Sequence, residues 1–377
     1  MEMFRKTWAE IRQDHLQHNL DLIRKYFPKE TFFCPMIKAN AYGHGDVKLG
    51  NIFQSWNLPY LGVCLIEEGL LLRQLGVRTP VLVFRGFDAQ GAKAMLHAKL
   101  TPVVSTWDQL EILLSFQEPC SIHLKFDTGM NRLGFPVDQV ERVRDRLRGQ
   151  THLQVQGVLT HMYQSEDSQD PSGKSAQQLA HFNAVADLFR NDCETFHALN
   201  SGAIVSKIEL MRKNKTDGVL FQRNWGLRPG LLVYGYNPVA NSGLDFRPAM
   251  TLKSHTSLVR DVKTGEGVSY NHTWKAERNS KVAVVPIGYA DGWHRLLSNR
   301  MKVLWNGQRA SLVGNICMDY LMVDVTDLPI ESENEVVFFG QSKTGAQISA
   351  TEVAQHAQTI TWEILTSIGE RVPRLYL

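Results

Sequence analysis

From residue 14 to about residue 236 the sequence repeats one pattern: an apolar run, a glycine or polar turn, and an amphipathic stretch. Short apolar runs that alternate with helical periodicity are typical of β/α units. The helical spacing is clearest over Asp14–Tyr26, Glu67–Leu75, Thr106–Phe116 and Ser172–Phe189. The predicted strands are Thr31–Ile37, Tyr60–Cys64, Val81–Phe84, Thr101–Ser105, Ser121–Phe126, Gln154–Thr160, Thr195–Leu199 and Trp225–Leu227.

The number and spacing of these units constrain the fold. Eight β/α units within roughly 200 residues match the period of a (β/α)8 barrel. A doubly wound open sheet is the competing fold, but no predicted strand here is followed by the Gly-x-Gly-x-x-Gly turn of a nucleotide-binding sheet. We therefore predict an α/β protein built on a (β/α)8 barrel.

After about Tyr236 the pattern changes to short β-rich runs. Asn306-Gly307 lies between two such runs, and Asn-Gly at that position is a strong hairpin signal. We predict a barrel domain over residues 1–236 and a smaller, mainly antiparallel β domain over residues 237–377, with residues 1–12 pairing with the second domain. The predicted elements are strands Ser254–Val262, Lys281–Pro286, Met301–Trp305, Ala310–Val313, Leu321–Val325 and Glu335–Phe339, and helices Glu352–Ala357 and Glu363–Ile368.

The composition excludes several classes of protein. A net charge of +3 is too small to indicate a nucleic-acid or membrane surface, and no apolar run reaches membrane-spanning length. The N-terminus is too charged for a signal peptide. The five cysteines are scattered and lack metal-ligand spacing, which indicates reduced thiols, a cytoplasmic location and no metal site.

The segment Lys38-Ala-Asn-Ala-Tyr-Gly-His-Gly45 follows the first predicted strand. A lysine at the carboxyl end of a barrel strand lies where this fold builds its active sites. Gly43 and Gly45 permit unusual backbone angles and the close approach of a ligand. Tyr42 and His44 add a phenol and a titratable ring. The competing interpretation is an ordinary solvated lysine, the commoner fate of this residue type.

Polar residues also follow the other predicted strands and should converge on the same mouth. Ser201 and Gly230 offer a hydroxyl and backbone N–H groups after the last two strands, where barrels commonly bind phosphate. A lysine that can form a Schiff base beside a phosphate cradle is the arrangement expected for pyridoxal 5'-phosphate, PLP. The convergent set is Lys38, Arg85, Ser105, Lys125 to Arg132, His161, Asn200, Ser201 and Arg228.

Each of these residues also has a purely structural interpretation. Arg228 could pair with a surface carboxylate, and Asn200 could cap a helix. Asp127 to Arg132 could form a tight turn, and His161 could be a buried histidine with satisfied hydrogen bonds. Their joint placement at the strand ends favours the functional interpretation.

Several stretches resemble the motifs of the alanine racemase family, and they extend over nearly the whole chain. Lys38–Gly45 is similar to the PLP-lysine motif of that family, and Lys125–Gly134 is similar to its carboxylate-binding segment. Arg228–Gly235 is similar to the segment facing the pyridine nitrogen, and Val268–Tyr270 is similar to the motif of the second base. The last set consists of Gly288–Gly292 together with Cys317–Asp319 and Arg371–Arg374.

The resemblance implies a PLP-dependent racemase that interconverts L- and D-alanine and supplies D-alanine for peptidoglycan. Lys38 would bind the cofactor covalently and serve as the base on one face of the substrate Cα. Tyr270 would serve on the other face, supplied by the neighbouring subunit of a homodimer. A tyrosine ordinarily ionises near pH 10, so nearby positive charge would have to lower its pKa.

The resemblance also assigns the remaining site residues. Arg132 would hold the substrate carboxylate and Met318 would offer its backbone to the substrate. Arg228 would face the pyridine nitrogen, with His161 hydrogen-bonded to it. Lys125 matches a lysine that is often carbamylated in the family. The other cofactor-binding residues would be Tyr42, Asn200, Ser201, Gly230 and Leu231, and the supporting residues Tyr289, Arg295 and Trp362.

Three features depart from the family pattern. Trp362 replaces a tyrosine whose hydroxyl reaches the phosphate, Asn271 replaces a glycine after Tyr270, and the segment between Ser201 and Arg228 is longer than usual. Three rivals therefore stay open. They are a racemase of the same fold with broader specificity or specificity for serine or basic amino acids, a decarboxylase of the same fold that would use Cys317, and a PLP-binding protein without catalysis.

Overall fold

The computed structural model describes residues 4–165, 173–215, 219–239 and 241–377. The chain forms two compact units. The barrel unit comprises His18–Ala41 and Gly45–Phe246, and the β unit comprises Met1–Gln17, Tyr42–His44 and Arg247–Leu377. No helix within the described ranges has the length and apolarity that a membrane span requires.

Parallel strands form the wall of the barrel unit, and each pairs with the next one along the chain. Leu61–Val63 and Val81–Val83 are buried along their whole length, as parallel strands covered on both faces are, whereas Cys120–Asp127 and Leu153–Leu159 alternate apolar and polar residues. A short strand, Phe135–Pro136, pairs with the fourth of them. The wall strands are Leu61–Val63, Val81–Val83, Thr101–Val104, Cys120–Asp127, Leu153–Leu159, Thr195–Leu199 and Gly226–Leu227.

Residues 32–37 close the ring between its first and last strands. Phe33 forms a parallel bridge with Leu227, and Met36 forms one with Gly62. The predicted barrel is therefore confirmed, but the prediction of a regular strand over Thr31–Ile37 is wrong. Pro35 has no N–H to donate, which interrupts the ladder, although its carbonyl still accepts the N–H of Gly62 at 2.9 Å.

Helices follow the strands, and several begin at side-chain caps that the sequence provides. The side chains of Asp88, Thr106 and Asn200 accept backbone N–H groups in the first turns of their helices. The predicted helix Ser172–Phe189 is Lys174–Leu188, and Ser172 lies outside the described residues. The helices are Gln13–Arg24, Asp46–Ser55, Ile66–Gln74, Ala89–His97, Trp107–Ser115, Val140–Leu147, Lys174–Leu188 and Ser201–Arg212, with 3-10 turns Val137–Gln139 and Val219–Phe221 and an unusual turn Lys38–Tyr42.

The barrel interior is packed, with an apolar cluster of Cys34, Leu82, Val103 and Leu159. Burial raises the pKa of the Cys34 thiol to about 12, so this cysteine is an inert core residue. All five cysteines are free thiols, as their scattered spacing predicted.

The β unit contains a seven-stranded sheet in which the N-terminal strand Thr7–Ile11 lies next to the edge strand Arg374–Tyr376. It pairs antiparallel with Met250–His255 and parallel with Arg374–Tyr376. The other members are Glu335–Gln341, Lys302–Trp305, Gln308–Ser311 and Gln347–Ile348.

Two smaller sheets and two helices complete the β unit. One sheet consists of Leu258–Val262, Ser280–Val285 and Leu321–Asp324, and the other of Gly267–Val268 and Trp274–Lys275. The helices are Ala350–His356 and Thr361–Ser367, and 3-10 turns lie at Tyr270–His272, Tyr289–Asp291 and Arg295–Leu297.

Two predictions about this unit have different outcomes. Asn306 and Gly307 have φ of 47° and 85° and join an antiparallel hairpin, as predicted. The single strand predicted over Ser254–Val262 is wrong. Two strands in different sheets replace it, because the chain turns at Thr256, whose hydroxyl donates to the carbonyl of Val284 at 3.0 Å.

Candidate active site

Lys38 opens a turn with an uncommon backbone. Ala39, Asn40, Ala41 and Tyr42 all have φ of 52–53°, in the left-handed region. This conformation costs L-residues roughly 1–2 kcal/mol each, so four in succession require support from their surroundings. Such strain clusters at functional sites. The sequence predicted positive φ only for the glycines that follow.

Three hydrogen bonds hold this turn within the barrel unit. The N–H of Ala39 donates to Glu68 Oε1 at 2.7 Å. The side chain of Asn40 accepts the N–H of Asp46 at 3.0 Å, and its carbonyl accepts the N–H of Gly45 at 2.9 Å. The peptide group after Lys38 therefore has a fixed orientation, and the lysine side chain itself is half-buried.

The turn after the strand Cys120–Asp127 presents Arg132. One carboxylate oxygen of Asp127 accepts the N–H of Gly129, and the other accepts the N–H of Arg132, each at 2.9 Å. Burial alone would raise the pKa of Asp127, but these backbone donors lower it overall. The predicted tight turn is present, and the structure shows that it is built around an ionised Asp127.

Lys125 lies within the same strand and is buried. Its Nζ donates to the carbonyl of Leu133. Burial lowers the pKa of Lys125 to about 8, with Arg132 and Arg228 acting in the same direction and Asp127 against it. A considerable fraction of this amine is therefore neutral slightly above neutral pH.

Arg228 is 4% exposed, and backbone carbonyls and one imidazole surround its guanidinium. It donates to the carbonyls of Thr160, His197 and Ala198, and to His197 Nδ1 at 2.9 Å. Burial lowers the pKa of Arg228 to about 10, so it is still a cation near neutral pH. The interpretation of Arg228 as a surface ion-pair partner is excluded.

A second histidine extends this arrangement into the barrel. His197 Nε2 and His123 Nδ1 are 2.8 Å apart, and both rings are fully buried. Burial lowers the pKa of His123 to about 3 and that of His197 well below its usual value, so both rings are neutral. Because Arg228 can only donate, His197 accepts at Nδ1 and donates from Nε2 to His123. Neither histidine was predicted as a site residue, although each lies within a predicted strand, Ser121–Phe126 or Thr195–Leu199.

His161 lies among the cations of the barrel mouth. Burial, and then the charges of Arg228, Arg132, Lys125 and Lys38, lower the pKa of His161 to about 3. The predicted hydrogen bond between His161 and Arg228 is wrong. The guanidinium turns inward, where its hydrogen-bond partners among the described residues are three strand-end carbonyls and His197.

Ser201 and Gly230 meet at the start of the helix Ser201–Arg212. Ser201 Oγ accepts the N–H of Gly230 at 3.1 Å and that of Leu232 at 3.4 Å. Asn200 caps this helix through the N–H of Ala203, as its structural interpretation predicted. The first N–H groups of a helix have no acceptor within it, and together with a hydroxyl they form a donor set suited to a phosphate.

The polar residues at the strand ends do not all share one role. Arg85 is exposed and its N–H donates to the carbonyl of Cys64, whereas Ser105 is buried and its N–H donates to Gln109. Both residues nevertheless follow wall strands, and the other predicted site residues of the barrel unit also lie near strand ends; these are Lys38, Lys125, Arg132, His161, Asn200, Ser201, Arg228, Gly230 and Leu231.

Tyr270 lies in the β unit on a loop with positive φ at Ser269, Asn271 and His272. Its side chain is 68% exposed. The carbonyl of Tyr270 accepts a hydrogen bond from Asn315 Nδ2 at 2.8 Å. Ser269 Oγ donates one to the carbonyl of Asn315 at 2.6 Å. Asn271 has φ of 62°, the region that glycine would favour and asparagine tolerates, so this departure preserves a left-handed residue there.

Met318 and Tyr289 lie on two loops of the β unit that are bonded to each other. The N–H of Tyr289 donates to the carbonyl of Cys317 at 3.1 Å, and the N–H of Ala290 donates to that of Met318 at 3.0 Å. A Cβ at Gly288 would lie 2.2 Å from the Met318 carbonyl oxygen, so glycine is required for this close approach. Arg295 is exposed and Trp362 is half-buried in the same unit.

Tyr42 belongs to the β unit together with Gly43 and His44. Arg374 donates to the carbonyl of Gly43 at 2.9 and 3.1 Å, and the hydroxyl of Tyr376 donates to the carbonyl of His44 at 2.9 Å. The terminal motif thus acts by holding the backbone immediately after Tyr42.

The fold and this site define a class of enzyme in which a β/α barrel with a lysine at its mouth is joined to a β domain. The family models for the N-terminal and C-terminal domains of alanine racemase match residues 11–238 and 249–376. The chain belongs to the alanine racemase family, as its motifs predicted.

Individual relatives agree over their whole lengths. The chain is 34% identical to the alanine racemase of Desulfovibrio desulfuricans, covering 99% of this chain and 98% of the relative, and 35% identical to that of Sorangium cellulosum, covering 99% of each. Among solved structures, alanine racemase of Clostridium difficile 630 has a TM-score of 0.88 at 30% identity, covering 100% of this chain and 97% of that one. The enzyme from D-cycloserine producing Streptomyces lavendulae has a TM-score of 0.88 at 32% identity, with coverage of 100% and 98%.

The lowered pKa of Lys125 predicts how stability depends on pH. Between pH 8 and about 10.5 the unfolded lysine is protonated and the folded one is neutral, so the free energy of unfolding rises with pH over this window. Relative to a Lys125→Met variant in CO2-free buffer, wild type should gain up to roughly 3 kcal/mol between pH 7 and 10.5. Urea unfolding at several pH values measures this difference.

The matched control is Lys93→Met, which removes an exposed lysine of the same unit. The free energy of unfolding of this variant should change with pH in the same way as that of wild type. Parallel curves for Lys125→Met would show instead that Lys125 titrates alike in the folded and unfolded chains.

Proposed function

We propose that this chain interconverts L-alanine and D-alanine with PLP as its cofactor, using Lys38 and Tyr270 as the two bases. In this proposal residues 1–236 form the cofactor-binding barrel domain, except that residues 1–12 pair with the second domain, and residues 237–377 form the β domain that carries the second base. One observation carries the proposal. In a chain of the alanine racemase family, Lys38 opens a strained turn at a barrel mouth that also presents cations and a phosphate-type donor set.

The residues present fit PLP. Lys38 provides an amine for covalent attachment. Ser201 provides a hydroxyl, and the first N–H groups of its helix, including that of Gly202, provide donors for the phosphate, while Gly230 holds the Ser201 hydroxyl through its own N–H. Tyr42, Asn200, Leu231 and the neutral His161 would complete the proposed cofactor set. When bound, the cofactor supplies an electron sink that makes the substrate Cα–H more acidic.

Arg228 sets how strong that sink is. It stays protonated near neutral pH, and the carbonyls and His197 around it hold its proton-bearing nitrogens in place. Because Arg228 would keep its proton while facing the pyridine nitrogen, it would not transfer that proton, and the nitrogen would stay unprotonated. The sink is then weaker than with an acidic partner, which disfavours transamination and favours simple return of the proton to Cα.

Arg132 and Met318 would orient the substrate. The Asp127 carboxylate fixes the backbone of Arg132, so that the guanidinium can pair with the substrate carboxylate. Lys125 is buried beside the same turn, and its partly neutral amine is the form that reacts with CO2. We propose that Lys125 is carbamylated and supports Arg132, as in the family pattern. Tyr289, Arg295 and Trp362 would support the entrance to the site.

Two bases are needed because racemisation removes a proton on one face of Cα and returns one on the other. Lys38 Nζ would act on one face and Tyr270 Oη on the opposite face. Tyr270 is 68% exposed, and Met318 is 53% exposed. A base so exposed lacks the enclosure that proton transfer to carbon requires, so we propose that a second copy of the chain completes the site in a homodimer. Cytoplasmic supply of D-alanine for peptidoglycan is part of the same proposal.

Trp362 keeps one alternative open, a broader racemase that also accepts serine or a basic amino acid. The indole N–H can donate a hydrogen bond to a phosphate, as the tyrosine hydroxyl of the family does, but an indole has no acceptor oxygen and is larger than a phenol. The decarboxylase alternative is disfavoured because Arg228 offers a cation rather than a carboxylate. In addition, the Cys317 thiol already lies 3.4 Å from Ser269 Oγ.

Proton NMR of the purified protein with PLP and L-alanine in D2O tests the reaction directly. We expect the Cα–H signal to disappear while a chiral assay detects D-alanine. Exchange with serine, lysine or arginine but not with alanine would replace the proposed substrate. No exchange with any of them would favour a PLP-binding protein without catalysis.

Lys38→Ala should abolish the visible absorbance of lysine-bound PLP, because no other residue is proposed to attach the cofactor. Absorbance spectra of the purified variant and of wild type, both reconstituted with PLP, measure this. Lys48→Ala, an exposed lysine in the following helix, is the control and should retain the colour. A yellow Lys38→Ala protein would refute the cofactor assignment.

Tyr270→Phe should keep the colour but slow Cα–H exchange of one alanine enantiomer by about 100-fold more than that of the other, since general-base catalysis contributes about this much. Exchange of each enantiomer is measured separately from net turnover. Tyr320→Phe removes the hydroxyl of another exposed tyrosine in the β unit and should leave both rates unchanged. Equal slowing of both enantiomers by Tyr270→Phe would rule out the two-base assignment.

A further inference from the structure

The carboxylate of Glu68 connects the residue after Lys38 to the end of the neighbouring strand. Its Oε1 accepts the N–H of Ala39 at 2.7 Å. Its Oε2 accepts the N–H groups of Cys64 and Leu65 at 2.8 and 2.9 Å. All of these residues belong to the barrel unit, and Glu68 lies in the first turn of the helix Ile66–Gln74.

The bond to Ala39 occurs where the backbone strain begins. Ala39 is the first of four successive residues with left-handed φ, and its N–H belongs to the peptide group that immediately follows Lys38. Any rotation of that peptide group moves Lys38 relative to the barrel wall. A charged acceptor on a rigid helix holds a peptide group more firmly than water can.

We propose that Glu68 is a positioning residue for Lys38, fixing the strained turn so that the lysine amine faces into the barrel mouth. The proposal rests on the proposed role of Lys38 as the cofactor lysine. It goes beyond the motif, because Glu68 lies 30 positions further along the chain and touches no proposed ligand.

The chemistry of the contact requires a carboxylate. Three N–H donors converge on two oxygens, and an ionised carboxylate is an acceptor at both. A glutamine has one acceptor oxygen and one NH2 donor. Glu68→Gln therefore places a donor against either Ala39 or the pair Cys64 and Leu65.

A purely structural role also exists, since Glu68 accepts the N–H of the N-cap residue Leu65 and thereby supports its own helix. Loss of that bond would lower stability without acting on Lys38. The two roles are separated by Ala39→Gly, because glycine adopts left-handed φ without steric cost. Glycine at position 39 removes the steric cost of left-handed φ at that residue, but it cannot restore the helix cap.

The experiment compares wild type, Glu68→Gln, Glu68→Gln with Ala39→Gly, and Glu67→Gln, which alters the exposed neighbouring carboxylate. Apo-protein is mixed with PLP, and the growth of visible absorbance gives the rate of covalent attachment. Thermal unfolding of the apo-proteins is measured in parallel. Glu68→Gln should slow attachment about tenfold or more, as expected for loss of a hydrogen bond to a charged group. The double variant should recover most of that loss, and Glu67→Gln should match wild type.

Two results would overturn the proposal. One is an attachment rate in folded Glu68→Gln equal to that of wild type. The other is a slow rate that Ala39→Gly does not recover, which would assign Glu68 to the helix cap alone. If Glu68→Gln does not fold, Glu68→Asp with and without Ala39→Gly provides the same comparison. If wild type attaches no PLP, or if the Lys38→Ala variant still attaches PLP, then the proposed function fails rather than the proposed role of Glu68.

Discussion

The buried guanidinium of Arg228 is the charge on which the barrel site depends. Burying an unpaired cation is costly, and this one is stabilised by the carbonyls at the ends of two strands and by His197. Those bonds tie the ends of the strands Leu153–Leu159 and Thr195–Leu199 to the residue that follows the last strand. The same charge, together with burial, keeps His161 and His197 neutral. One residue thus fixes both the geometry of the mouth and the protonation state of its histidines.

Two carboxylates perform a related task at the edge of the site. Glu68 accepts backbone N–H groups next to Lys38, and Asp127 accepts those of the turn that presents Arg132. Neither is proposed to touch a ligand. Each uses its negative charge to hold backbone that local preferences would not, including the left-handed turn at Ala39. Both carboxylates are thereby bonded to backbone N–H groups next to the cationic side chains of the site.

The sequence predicted the barrel, the hairpin at Asn306-Gly307 and the residues at the strand ends, because these follow from periodicity and short-range turn chemistry. It did not predict the left-handed turn after Lys38, since alanine and asparagine rarely adopt that backbone and only tertiary hydrogen bonds impose it. The resemblance to the alanine racemase family also implied that His161, rather than His197, is the hydrogen-bond partner of Arg228. Which of two histidines reaches a guanidinium depends on the three-dimensional direction of its side chain, and strand spacing does not contain that information.

Unequal burial separates the two proposed bases and explains how one fold could control racemisation. Lys38 is half-buried, and the N–H after it donates to Glu68 within the barrel unit, whereas Tyr270 is 68% exposed on a loop that is held through the Tyr270 carbonyl and the Ser269 hydroxyl. The barrel chemistry can therefore be preorganised in a single chain. The opposite-face proton transfer would become enclosed only when a second chain covers Tyr270. Association would then determine whether a proton removed from Cα returns to the same face or to the other.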